Sequence, residues 1–121
     1  MRAAGCGRKA LFGVSTEEDN VITVTADRGV KNSAGLGYLS VGEGEEVVIE
    51  TSFEKSGRIL CSFRAGLLGS DSFSDEPTAE LTVGGEDSVR LSIAPGEYTV
   101  MVKALDKLTG SARLSMQEAG A

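Results

Sequence analysis

The sequence predicts an all-β domain, an antiparallel β-sandwich of jelly-roll or immunoglobulin-like type with about eight or nine strands. Three observations lead there. Apolar and polar residues alternate with a period of two in run after run. Turn-forming residues separate the runs at intervals near ten residues. No window carries the apolar period of a helix. Short strands and unequal linkers favour a sandwich over a closed barrel.

The pattern places strands at 10–14, 20–26, 37–41, 46–53, 58–65, 79–83, 88–94, 97–104 and 111–117. In the second, Ile22, Val24 and Ala26 share one face. In the fourth the stripe is Val47, Ile49, Thr51 and Phe53. In the fifth, Cys61 lies between Ile59 and Phe63 and reads as a small buried hydrophobe. Leu81 and Val83 mark the sixth, and Val89, Leu91 and Ile93 the seventh. Tyr98, Val100, Val102 and Ala104 mark the eighth; Ala112, Leu114 and Met116 the ninth. Ser, Thr, Arg, Lys and Glu fill the alternate positions, as a half-buried antiparallel strand requires. Gly42 to Glu45, Lys55 to Gly57, Gly84-Gly85 and Ala94-Pro95-Gly96-Glu97 punctuate the runs. The last has the chemistry of a type II turn, with proline presetting φ and glycine following. Two connections read as long loops, Gly-rich Asp27 to Gly37 and polar, acidic Gly66 to Thr78. Sandwich loops gather at the ends, where ligands usually bind.

Composition excludes several functions. Net charge is −6 and no basic cluster exceeds Arg8-Lys9, so a phosphate backbone would be repelled and nucleic acid is not an expected partner. The chain contains no histidine, which removes the Ser-His and Cys-His dyads and most zinc sites. It has no tryptophan and six Phe and Tyr in all, a poor supply for a flat stacking platform. No apolar run is long enough to span a bilayer as a helix.

No catalytic constellation emerges. Asp27 and Glu50 form a carboxylate pair no better than any other, and Ser15, Ser33 and Ser40 lack a histidine base. Gly29 to Gly37 lacks the Gly-Lys-Ser/Thr ending of a phosphate loop. Asp71, Asp75 and Glu76 are oxygen ligands in one loop, candidates for calcium, but their spacing matches no EF-hand and solvated charge is the simpler account. No cofactor is expected.

The N-terminus carries the one localisation signal. Ala3-Ala4-Gly5-Cys6 resembles the lipobox that ends bacterial lipoprotein signal peptides, with Ala3 where leucine is usual and with only Met1 and Arg2 ahead of it. The resemblance implies lipidation at Cys6. The segment Val89 to Val102 resembles the hairpin of secreted bacterial β-sandwich accessory domains, an apolar strand followed by Pro-Gly and x-Tyr-Thr-Val. Together with the start, it makes the chain similar to small uncharacterised lipoproteins of Gram-positive bacteria. The likeness implies a fold and transfers no activity. The expected organisation is a tether over 1–9 and one sandwich domain over 10–119. The expected role is a non-enzymatic extracytoplasmic surface lipoprotein or binding domain, membrane-held only through lipid, with an unknown protein or small ligand as partner. The alternatives are a structural or assembly accessory module and a carboxylate-dependent hydrolase; for location, the alternative is the cytoplasm.

Overall fold

The computed structural model describes residues 11–17, 20–30 and 33–119. Among these residues nine strands follow one another: β1 (Leu11–Glu17), β2 (Val21–Val30), β3 (Ala34–Val41), β4 (Glu45–Phe53), β5 (Arg58–Ala65), β6 (Ala79–Gly84), β7 (Glu86–Leu91), β8 (Gly96–Ala104) and β9 (Leu108–Glu118). One 3-10 turn, Glu54–Ser56, links β4 to β5. The tether expected over 1–9, with Cys6, lies outside the described residues.

The strands form two antiparallel sheets, β1-β2-β9-β4-β7 and β3-β8-β5-β6. One rule generates them. β2 pairs with β9, β3 with β8, β4 with β7 and β5 with β6. This is one long eight-stranded hairpin folded so that alternate pairs fall in opposite sheets, which is the jelly roll. β1 adds a fifth strand beside β2.

Inward positions alternate with outward ones, so each strand delivers every second residue to the core. Ile22, Val24, Val47, Ile49 and Leu114 come from the larger sheet; Leu39, Ile59, Cys61, Phe63, Val100 and Val102 come from the smaller. Cys61 is a fully buried free thiol, and burial pushes its pKa up to about 12 because the thiolate would lose its hydration. Thr51 also faces in, where its hydroxyl accepts the Asp87 N–H at 3.1 Å.

Two expectations are corrected. Asp27 to Gly37 is largely strand: β2 runs to Val30, with an irregular register between Ala26 and Val30, and β3 begins at Ala34. Two of its glycines, Gly35 and Gly37, serve packing. A Cβ on Gly35 would lie 2.6 Å from Val14 Cγ2, and one on Gly37 would lie 2.7 Å from Ile22 Cδ1. Bare backbone here lets β1 and β2 tuck beneath β3 and close that side of the sandwich.

The Pro95-Gly96 segment is likewise not a hairpin. β7 and β8 belong to opposite sheets, so the segment is a corner between them. Tyr98 fixes that corner: its ring is buried and its hydroxyl donates to the Ala94 carbonyl at 2.6 Å.

Candidate functional site

The two outer faces of the sandwich differ in chemistry. On the five-stranded sheet, cross-strand neighbours run Ser15, Thr23, Arg113, Glu50 and Ser88. That face is polar, and its ion pair, Arg90 Nη1 to Glu46 Oε1 at 2.7 Å, holds a glutamate that is only 8% exposed.

The four-stranded sheet presents a different grid. Ala34, Lys103, Leu60 and Thr82 form one row; Leu36, Met101, Ser62 and Glu80 form the next; Tyr38, Thr99 and Arg64 form a third. In the first half of β3 the usual polarity is inverted. Gly35 and Gly37 occupy inward positions, while Leu36 and Tyr38 point outward and are 37% and 39% exposed. At these two positions packing against β1 and β2 leaves no room for a side chain, and the neighbouring leucine and tyrosine stand on the solvent side.

The Gly66-to-Thr78 connection borders this face. Its ends are pinned by Gly66 N–H to the Glu97 carbonyl (2.7 Å), Ser74 N–H to the Ala65 carbonyl (2.9 Å) and Thr78 N–H to the Phe63 carbonyl (2.7 Å). Thr99 holds the near side: its hydroxyl accepts the Leu68 N–H at 3.0 Å and donates to the Gly66 carbonyl at 2.9 Å. Leu67 and Leu68 are thereby held beside the sheet, 37% and 53% exposed.

Three hollows lie side by side along this surface. The first, about 350 Å³, is lined by Asn20, Tyr38, Ser40, Leu67, Leu68 and Glu97. The second, about 240 Å³ and more enclosed, lies between Leu36, Arg64, Leu68, Phe73, Thr99 and Met101. The third, about 230 Å³, continues over Ala34, Gly35, Leu36 and Met101. Leu68 lines both the first and the second; Leu36 and Met101 line both the second and the third.

One edge of the groove is closed by a side chain. Asn20 Oδ1 accepts the Ser40 N–H at 2.8 Å, and Asn20 Nδ2 donates to the Ser40 carbonyl at 2.6 Å. Thr16 Oγ1 accepts the next free donor, Tyr38 N–H, at 3.0 Å. The open edge of β3 is thus paired by side chains instead of a strand. The clamp sets Asn20 at φ +63°, a left-handed conformation that asparagine tolerates well.

The other candidates read from sequence stay apart. Asp71, Asp75 and Glu76 are exposed on the loop, and no group of three or more Cys, Asp or Glu fit to hold a metal forms among the described residues. Asp75 contributes its backbone carbonyl, which accepts from Arg64 Nη1. Asp27 and Glu50 lie on strands separated by β9 and are not brought together. Sequence reasoning pointed to the Gly66–Thr78 loop but missed Leu36, Tyr38, Arg64 and Met101. The available signal was the alternation in Ala34-Gly35-Leu36-Gly37-Tyr38-Leu39, where glycine alternates with large residues.

No known protein family matches the chain, and no curated protein matches it in sequence. Among the solved structures that match, two superpose weakly on it. A chain from work described as "CBM4 structure and function" superposes with a TM-score of 0.45 at 10% identity, covering 88% of this chain and 78% of that one. A chain from the crystal structure of accessory secretory protein 1,2 and 3 in Streptococcus pneumoniae gives 0.43 at 12% identity, covering 88% of both. Likeness at this level carries no ligand across. Among the described residues, no helix is long and apolar enough to cross a membrane.

Proposed function

We propose that this domain is a non-catalytic binding module whose ligand lies across the outer face of the four-stranded sheet, against Leu36, Tyr38 and the β5–β6 loop. One observation carries the reading. Among the described residues, the most exposed large hydrophobic side chains, Leu36, Tyr38, Leu67 and Leu68, all line two hollows that share Leu68. Scattered exposed leucines need no explanation; a contiguous set around a cavity marks a binding surface. The inverted β3 supports it further, because its glycines are required by packing and its outward leucine and tyrosine are not.

The test uses Nile red, a neutral dye that brightens in apolar surroundings. Native protein is expected to enhance its fluorescence, and Leu36→Ser/Leu68→Ser is expected to lose that enhancement while melting at the same temperature. Equal enhancement by the two proteins would remove the surface from consideration.

For location, the lipobox resemblance of Ala3 to Cys6 supports display outside the cell on a lipid anchor. Stable anchoring takes two or more acyl chains, since one binds a bilayer only marginally. Expressed in its own host, the protein should partition into detergent and Cys6→Ser into the aqueous fraction. Identical partitioning of the two would end the anchoring proposal.

A further inference from the structure

We propose that the enclosed hollow of this groove is a subsite for a short aliphatic carboxylate, gripped by Arg64. The inference rests on the binding face described above and names the chemistry of what sits there.

Arg64 projects from β5 into a hollow walled by Leu36, Leu68, Phe73 and Met101. Its guanidinium is incompletely satisfied. Nη1 donates to the Asp75 carbonyl, whereas Nε is buried and has no hydrogen-bond partner among the described residues. No carboxylate of those residues lies within ion-pairing distance of it. Buried donors are almost always paired, so an orphan beside a cavity marks the place of an acceptor.

The fork geometry specifies which acceptor. Nε–H and one Nη2–H lie parallel on the edge of the guanidinium away from Nη1. Two parallel donors suit the two oxygens of a carboxylate. The remaining polar group, the Thr99 hydroxyl, is already engaged by Leu68 N–H and the Gly66 carbonyl and does not compete.

The walls specify the rest of the ligand. Leu36 and Met101 also line the neighbouring hollow over Ala34 and Gly35, so the surface beside Arg64 is apolar where an aliphatic tail would lie. At about 240 Å³ the hollow is below the size of a drug-like site and fits a small group. Because Nε is buried, a ligand reaches it only when a bordering side chain moves, and Leu68 is the most exposed of these. Asp75 meets Arg64 through its backbone carbonyl, and its carboxylate, like those of Asp71 and Glu76, is exposed to solvent and makes no ion pair with the guanidinium.

The experiment titrates the ¹⁵N-labelled full chain with hexanoate and, separately, with hexanamide, at about 0.15 M salt. Hexanoate should shift the amides of Leu36, Leu68, Phe73 and Met101 saturably, and hexanamide should bind about tenfold more weakly for want of the charged fork. Arg64→Gln should bring hexanoate down to the level of hexanamide, and Arg64→Lys should fall between. Equal binding of acid and amide by the native protein would overturn the Arg64 anchor while leaving the apolar face intact; this comparison needs no variant to fold. Undiminished hexanoate binding by Arg64→Gln would overturn it as well. No shift with either compound, together with no Nile red enhancement, would remove both the anchor and the face.

Discussion

Gly37→Ala should destabilise the domain through one contact. The added methyl would sit 2.7 Å from Ile22 Cδ1, 2.8 Å from Cγ1 and 3.1 Å from Cγ2. Ile22 is wholly buried, and its β-branch leaves χ1 little freedom to turn away. Overpacking of this kind costs about 1–3 kcal/mol. Alanine also restricts the unfolded chain, which returns roughly 0.4–1 kcal/mol. The net expectation is a loss of about 1–2 kcal/mol, or roughly 3–12 °C in Tm for a domain of this size. Urea and thermal unfolding followed by far-UV circular dichroism read it directly. Ile22→Val removes Cδ1 and alone should cost about 0.5–1.5 kcal/mol. In the Gly37→Ala background it should cost at least about 0.5 kcal/mol less, because it removes the Cδ1 contact and frees Cγ1 to shift. Strict additivity, or a Gly37→Ala protein as stable as the native one, would mean that Gly37 does not face Ile22. A one-residue slip of β3 would then be implied, and it would turn Leu36 and Tyr38 inward.

Three further predictions follow from burial and pairing. Val100→Asp should unfold the domain, since Val100 is fully buried and an unpaired carboxylate there costs several kcal/mol; Lys103→Asp, on the opposite face, should shift Tm little. Cys61 should resist thiol reagents at pH 8 until the protein unfolds. Its pKa is raised from 9.0 to about 12, so the folded state holds the proton longer than the unfolded one. The stability advantage of native protein over Cys61→Ala should be complete below about pH 9 and shrink as pH rises toward 12, at up to about 1.4 kcal/mol per pH unit; a constant difference across that range would contradict the burial. Asn20→Gly keeps the left-handed backbone but removes the Ser40 clamp, so it should cost about 1–2 kcal/mol and expose the β3 edge to self-association, read by sedimentation at rising concentration.

Strand positions were legible because burial on one face writes a period of two into the chain. Val47-Ile49-Thr51-Phe53 and Tyr98-Val100-Val102-Ala104 fall where alternation places them, with the same residues inward. Partners were not legible. Alternation records facing, whereas the jelly-roll pairing of β2 with β9 and β3 with β8 depends on contacts far apart in sequence. Pro95-Gly96 read as a hairpin for the same reason: turn chemistry is local, and it does not say whether the next strand joins the same sheet. The glycines of β3 misled in another way. Glycine weakens a strand as a local propensity, and only the approach of Val14 and Ile22 shows that the bare backbone is needed. The site followed suit. Its loop was visible as a long connection, but Arg64 is an ordinary outward residue of β5 until the fold sets it beside Leu36, Phe73 and Met101.

The central claim is that the outer face of the four-stranded sheet is where this protein binds. The most direct measurement is a fragment screen read by ¹H–¹⁵N spectra of the assigned domain, because small probes collect at binding surfaces whatever the natural ligand. Hits should concentrate their shifts on β3, on Leu67 to Phe73 and on Thr99 and Met101. Hits gathered instead on the polar outer face around Thr23, Glu50 and Arg113, or scattered over both sheets, would contradict the account.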